Sequence, residues 1–492
     1  MSVSKEKRTQ NTEDRSFYIK VIVAVIIFAI IFAVCFLYSN ENIRKNMTAV
    51  TIDGEKFTAT ELDYYYHTAI NQYGSYLSYL GVDPSQDLDS QKYSGNQSWA
   101  DYFRSEAVVS LTQTATMYHD AMENGYTIDE DLQKQIDDYS ASIDKYCETN
   151  AITRDQFLQS SYGSHMTNDL FMKHLTMSFV ASDYASDYNK NHEYSTDELT
   201  TYYNDHKQDI DLASYEVLTV MPDYTGIDGT TENSTDEPTY TEAQDQQALD
   251  AAEKTAAAFL DRVNKGEALS EIAKEYNENA YSSKEDVSYS SFKEYSYNDW
   301  IFDETRKIGD AGMMVDEANG RWYVVVLNDR YRPEYNTVDV RHILLKPTDS
   351  GLKEGDEGYE EALELNRAFA ENKAKELLNK YRSGEKTSEA FAALAKENSA
   401  DTASAIDGGL ISKIYKGAMV DSFEDWCFDA SRKPGDTGIV ESEYGYHVMY
   451  FQGENAPYWQ VRCMNNLYTE WEQSIYEGAK TKTHMLGIKA IG

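Results

Sequence analysis

The apolar positions of this chain change their period three times. Between Val21 and Leu37 they are continuous, "VIVAVIIFAIIFAVCFL", with Phe17, Tyr18 and Tyr38 at the flanks. A run of that length is just sufficient to cross a hydrocarbon core as a helix, and the aromatic residues suit its two interfaces. From 46 to 210 the spacing is helical, and the helix starts are marked. "TATE" (Thr58 to Glu61), "SWAD" (Ser98 to Asp101), "TIDE" (Thr127 to Glu130), "TRDQ" (Thr153 to Gln156) and "STDE" (Ser195 to Glu198) match or approach the capping box. In that motif a hydroxyl and a carboxylate or amide satisfy the orphan N–H groups of a first turn. Gly125 is placed to close the helix begun at Ser98. The pattern predicts an all-α domain, opened by a short strand or a hairpin in "AVTIDGEKF" (Ala49 to Phe57) that turns at Asp53-Gly54. Beyond 210, strand-like runs alternate with helical ones, an α+β pattern. A last segment, Tyr458 to Gly478, carries Trp459, Val461, Met464, Leu467, Trp471 and Ile475 at helical spacing. It predicts a helix that returns to pack on the all-α domain.

The α+β region contains a repeat. "YNDWIFDETRKIGDAGMMVDEANGRWYVVVLNDR" (Tyr297 to Arg330) aligns with "FEDWCFDASRKPGDTGIVESEYGYHVMYFQGE" (Phe423 to Glu454). Trp300, Phe302, Asp303, Arg306, Lys307, Gly309, Asp310 and Gly312 match Trp426, Phe428, Asp429, Arg432, Lys433, Gly435, Asp436 and Gly438. Upstream, "FLDRVNKGE" corresponds to "LLNKYRSGE", and each copy opens on a strand, "YEVLTVMP" or "RHILLKP". Two copies of one α+β domain are therefore expected at 211–335 and 336–455.

Charge sets the surroundings. With 84 acidic and 45 basic residues the formal net charge is −39, a balance that repels nucleic acid and anionic lipid. Lys5, Lys7, Arg8, Arg15 and Lys20 precede the apolar run, whereas only Arg44 and Lys45 follow it closely. The positive-inside rule then leaves residues 1–17 as a cytoplasmic tail, makes 18–39 the transmembrane anchor, and exports the remainder. No small-x-small cleavage site follows the run, and Val34 is bulky for a lipidation site at Cys35, so an uncleaved anchor is expected. Outside the anchor Cys147, Cys427 and Cys463 make neither a disulfide framework nor a zinc site, and predict buried thiols.

The chemistry is carried by histidine. Of 9 histidines, one lies in the strand "VRHILLK" (Val340 to Lys346) and one in "YGYHVMYF" (Tyr444 to Phe451). A single strand histidine is ordinarily a hydrogen-bonded core residue, and a pair can simply cross-link a sheet. The surrounding stretch, "VRHILLK … FAALAKENSAD … GGLISKIYKGAMVDSFEDWCF … GDTGIVESEYGYHVMYF", resembles a parvulin-type peptidyl-prolyl isomerase domain. The larger layout is similar to the extracytoplasmic foldase-chaperones of the PrsA/SurA class.

The resemblance implies the following. The fold is α+β: a transmembrane helix, a SurA-like helical chaperone domain (46–210), two tandem parvulin-like domains and a C-terminal helix over 456–492. Each parvulin-like domain is a four-stranded antiparallel sheet with helices. The paired active-site histidines fall on His342 and His447, the central polar position on Asp401, and the hydroxyl beside the second histidine on Ser442. Met419 and Phe423 form the proline-ring pocket, with Leu410 or Ile411 as a wall, because "GGLIS" departs from the family's usual Gly-Gly-Asp-Leu-Gly. No metal or cofactor is implied, since rotating an amide breaks no bond. The expected partners are unfolded or nascent secreted polypeptides with X-Pro bonds, and the membrane through one helix; no nucleic acid is expected, and a homodimer stays open. The location implied is the cell membrane of a Gram-positive bacterium. A binding chaperone with a vestigial isomerase domain is the alternative. In the first copy Val217, Asn279, Lys293, Tyr297 and Trp322 align with His342, Asp401, Met419, Phe423 and His447, which predicts a catalytically dead domain.

Overall fold

The computed structural model describes residues 22–23, 25–29, 36, 39–74, 76–229 and 238–492. Among them no helix is long and apolar enough to cross a membrane. The expected anchor at 18–39 lies largely outside the described residues. The chain forms two compact units, one from the residues up to Glu193 together with Leu467–Gly492, the other Tyr194–Asn466.

The first unit is mostly helical but not all-α. Strands β1 (Thr48–Ile52) and β2 (Glu55–Thr58) form an antiparallel hairpin. Asp53 (φ +48°) and Gly54 (φ +93°) make its turn, in the left-handed region that two-residue hairpins require. A third strand, Thr481–Thr483, pairs with β1 and completes a three-stranded sheet. Three exposed residues at the far end of the chain carry no periodic signal, so the sequence gives no warning of this strand.

Five longer helices follow, with the single turn Tyr76–Tyr79 after the first: α1 (Ala59–Tyr73), α2 (Trp99–Glu123), α3 (Glu130–Asn150), α4 (Arg154–Tyr162) and α5 (Asn168–Asn191). Capping boxes form at Thr58, Ser98 and Thr153. At "TIDE" the cap is instead Asp129, whose carboxylate accepts from the Leu132 N–H. Aspartate caps as well as threonine does, so this helix starts two residues later. Phe57, Leu62, Phe103, Leu111 and Phe171 are fully buried at the centre of the unit. Trp471 stacks on Tyr188 at 3.7 Å between ring centroids, which fixes the returning segment of the C-terminal helix.

The second unit contains both copies of the repeat. Its first helix, Thr196–Asp205, carries the capping box at Ser195. The helical unit thus ends at Glu193 rather than at 210. A cation–π sandwich accounts for the shift, because Arg332 lies 4.9 Å from the Tyr203 ring and 4.4 Å from Trp459. That stack fastens the Thr196–Asp205 helix and the start of the helix Tyr458–Gly478 to the linker between the copies.

In the first copy β3 (Leu212–Val220), β4 (Tyr281–Ser288), β5 (Ala311–Asp316) and β6 (Arg321–Tyr331) form an antiparallel sheet in the order β4-β3-β6-β5. In the second, β7 (Asn336–Leu345), β8 (Leu410–Ile414), β9 (Thr437–Ser442) and β10 (Gly445–Pro457) repeat that order as β8-β7-β10-β9. The residues shared by the copies build this scaffold. A Cβ on Gly312 would come within 2.7 Å of the Trp300 ring, and one on Gly438 within 2.5 Å of Trp426. The guanidinium groups of Arg306 and Arg432 cover those same rings. Gly309 donates to the Leu327 carbonyl and Gly435 to that of Phe451, joining corresponding turns to corresponding strands. None of these contacts involves a histidine.

Alternation along the central strands gives the second sheet two faces. Ile343, Val448 and Tyr450 pack under the helices Tyr359–Ser383 and Ser388–Asn398, against Ala374, Leu377 and Phe391. Val340, Met449 and Phe451 point the other way, toward Phe423 and Cys427 of the helix Asp421–Cys427. His342 and His447 lie on this second face, each in register with the same alternation.

Candidate active site

Strands β7 and β10 are direct neighbours, with His342 opposite Met449 and His447 opposite Leu344. Two residues of stagger on one face bring the imidazoles together. Their Nδ1 atoms are 3.1 Å apart, and the rings stack at 5.3 Å. Both side chains are buried. Phe423 presents its ring in T-shaped contact to both, at 5.6 Å from His342 and 5.2 Å from His447.

Asp401 reaches this pair because the chain is tied back to the end of β7. Ala400 donates to the Leu344 carbonyl at 2.8 Å, and the Leu344 N–H donates to Ser399 Oγ at 3.1 Å. The Asp401 carboxylate then accepts from His342 Nε2 at 2.8 Å. The short helix Thr402–Ala405 that follows returns to the sheet through Gly408 and Gly409. Gly409 has φ +74°, and a Cβ there would lie 2.2 Å from the His342 carbonyl oxygen. Only glycine admits this approach, in which His342 donates to the Gly409 carbonyl at 2.8 Å. Arg341 holds the same turn by donating to the carbonyls of Asp407 and Gly408.

The hydrogen bonds fix a direction. An ionised Asp401 only accepts, so His342 carries its proton on Nε2 and offers a lone pair at Nδ1. His447 must then donate from Nδ1, which leaves its Nε2 to accept from Ser442 Oγ, 2.7 Å away. Ser442, His447, His342 and Asp401 thus form one oriented relay with both imidazoles neutral.

Electrostatics agree with this assignment. Burial pushes the pKa of His342 down, opposed by its bond to Asp401. Burial, and then the neighbouring His342, push that of His447 down to about 4. Burial raises that of Asp401, but the bonds from Ser404 and His342 outweigh it and hold the carboxyl below its ordinary value.

Beside the relay is an open cavity of about 460 Å³. His342, His447, Asp401, Met419, Phe423 and Ile411 line it. Of the two candidates for a wall, Ile411 is there and Leu410 is not among the lining residues. Leu410 pairs with Arg341 and Ile411 with Val340, so the strand's alternation turns them to opposite faces. Ser442 sits behind His447 rather than in the wall. Contributors not singled out in the sequence include Tyr444 and Lys346, which line the cavity, and Ser404, whose hydroxyl meets both Asp401 and His342. Ser404 stands three residues after Asp401 in a short helical turn, a spacing that could have disclosed it.

Residues 342–453 match the family profile described as the PPIC-type PPIase domain, or rotamase. The second copy belongs to that family. Among the curated relatives, foldases match more of the chain. The foldase protein PrsA 1 of Listeria innocua is 32% identical over 168 residues, which are 34% of this chain and 44% of the relative. The foldase protein PrsA of Caldanaerobacter subterraneus is 33% identical over 159 residues, 31% of this chain and 47% of that one. The matches therefore span less than half the length of either relative. Among solved structures, PrsA from Bacillus subtilis aligns at 13% identity over 80% of this chain and 91% of its own, with a TM-score of 0.27.

The first copy shows what replaces a PPIC-type site on the same sheet. Val217 faces Val325 as His342 faces Met449, and Gly312 and Gly438 face those same partners. By this register the counterpart of His447 is Tyr323, not Trp322 as the sequence alignment has it. The β5–β6 turn is longer than the β9–β10 turn, and a miscount of one residue exchanges the two faces of a strand. Trp322 packs on the helix-covered face with Leu218 and Ala252. Tyr323 lies on the site face, 4.9 Å from Tyr297, with Tyr215 a further 5.6 Å from Tyr297. Its hydroxyl donates to Asp316, the register counterpart of Ser442. Lys293 is exposed. Tyrosine rings, rather than a misplaced charge, fill the space where a proline ring would enter.

The depressed histidine makes the second copy sensitive to acid. A folded-state pKa near 4 against an unfolded value of about 6.5 means that the unfolded chain takes up the proton first. The stability held above about pH 6.5 is therefore lost as pH falls toward 4, by about 3 kcal/mol for His447 alone. An NMR titration of the imidazole signals should place the His447 midpoint near 4. A midpoint at or above about 6.5 would show that burial does not govern the pair.

Proposed function

We propose that the chain is a membrane-tethered, extracytoplasmic peptidyl-prolyl cis–trans isomerase that assists the folding of secreted polypeptides. The observation that carries this reading is an apolar socket, formed by Met419, Phe423 and Ile411, set directly against a neutral, oriented histidine relay. Rotation about a peptide bond faces a barrier of about 18–20 kcal/mol, and X-Pro bonds cross it in tens of seconds or longer. The enzyme has to hold the pyrrolidine ring while the carbonyl turns, and to favour the twisted amide whose nitrogen has become basic. Burying the ring in the socket contributes about 1–2 kcal/mol. Asp401 and the imidazoles supply fixed dipoles beside the rotating group, in a site partly closed to water. Because both histidines stay neutral, no charge has to be moved for the site to respond.

Tandem copies on one scaffold, the second with a cavity against its histidines and the first with buried tyrosines on the equivalent face, support a division in which one catalyses and the other spaces or binds. A proline-peptide assay on the full chain, beside an aggregation-suppression assay, tests this. His342→Ala and Met419→Ala should each lower kcat/KM at least about tenfold while leaving aggregation suppression intact. A wild-type chain that suppresses aggregation without isomerising would instead identify a binding chaperone. The apolar run at 21–37 and the basic residues before it support the tether, with the N-terminus inside. Protease outside intact cells should then digest the chain beyond 40 and spare residues 1–17; a processed protein that begins near residue 40 would refute the anchor.

A further inference from the structure

Asp401 is anchored by more than the histidine. It occupies the N-cap position of the short helix Thr402–Ala405 without capping it by its own side chain. It is also only partly buried, so nothing in the packing alone prevents its carboxylate from turning to solvent. What holds it is Ser404, whose hydroxyl donates to Asp401 Oδ2, the same oxygen that accepts from His342 Nε2. The Ser404 oxygen is itself 3.1 Å from that Nε2. Hydroxyl, carboxylate and imidazole close a triangle at the outer end of the relay. The other end is held in the same manner, since the Tyr444 N–H donates to Ser442 Oγ at 3.1 Å.

We propose that Ser404 is a positioning residue for the isomerase site, fixing the Asp401 carboxylate so that His342 keeps its proton on Nε2 and the relay keeps one direction. This rests on the isomerase reading of the same cavity. With the hydroxyl removed, Asp401 divides its time between His342 and water. His342 then loses its fixed acceptor, and the tautomers of both histidines average. The proline-ring socket of Met419, Phe423 and Ile411 does not include Ser404, so substrate binding is untouched.

The test uses the full chain, with its histidines labelled with nitrogen-15. Ser404→Ala should lower kcat about tenfold at unchanged KM, as the loss of a hydrogen bond to a charged group does. The His342 nitrogen shifts should move from a fixed Nε2–H pattern to averaged values, with the thermal transition unmoved. Ser404→Thr, which retains the hydroxyl, should restore both. In an Asp401→Ala background, Ser404→Ala should cost nothing further, because the residue acts through that carboxylate. Wild-type kcat in Ser404→Ala, an effect on KM alone, or a full tenfold loss on top of Asp401→Ala would each overturn the assignment. A wild-type chain with no isomerase activity would sink the functional reading instead. The histidine shifts would still decide the role of Ser404.

Discussion

Phe423→Ala should lower kcat/KM for an X-Pro peptide by about a hundredfold or more, and Met419→Ala by about tenfold. The difference follows from what each side chain touches. Met419 is half-buried at the edge of the socket, so truncation removes ring contacts and little else. Phe423 is 2% exposed, and its ring braces both imidazoles edge-on. Its loss opens space beside the relay as well as in the socket. The same burial means that the substitution costs stability, about 3–4 kcal/mol for a phenylalanine cut to alanine. Phe423→Leu separates the two effects, since it keeps most of the apolar volume but not the ring that orients the histidines. Unfolding curves together with an exchange measurement of cis and trans peptide would resolve this. Near wild-type turnover in both Met419→Ala and Phe423→Leu would place the proline ring somewhere else.

The second large effect concerns the copies. A chain carrying His342→Ala with His447→Ala should fall to the uncatalysed rate, although its first copy is intact. Adding Tyr323→His to that chain should restore nothing. The first copy lacks more than a histidine: Tyr215, Tyr297 and Tyr323 are all buried on its site face, and together they occupy the volume of a socket. A new imidazole there would meet no counterpart of Asp401, because Asn279, at the aligned position, is exposed to solvent. Turnover above background in the doubly substituted chain would assign activity to the first copy and undo the reading of His342 and His447.

Much of this was legible because the signals were local. Capping boxes at Thr58, Ser98, Thr153 and Ser195 need only four residues to be recognised, and each one forms. The histidines stood out as polar residues inside apolar strands, and the structure brings them to 3.1 Å of each other. Features that depend on distant partners were not legible. The strand Thr481–Thr483 exists only because β1 offers it an edge. The choice of Ile411 over Leu410 is a question of strand phase, which two adjacent apolar residues cannot answer. The same ambiguity misplaced Trp322: alignment counts residues, whereas a sheet counts hydrogen-bonded pairs, and the two disagree wherever a turn changes length. The role of Ser404 needed the carboxylate and the imidazole to be in place first.

The pairing of Trp300 with Gly312, and of Trp426 with Gly438, has an evolutionary consequence. The shared frame includes an indole seated on a glycine and short aspartate turns, and in each copy the indole packs on the same face as the site residues. Strand order and the indole on its glycine are common to both copies, while the residues beside them differ. The first copy has an aromatic filling where the second has its cavity, under the same strand order. A lineage holding such a pair has a second face on the same frame, and that face can change without touching the first.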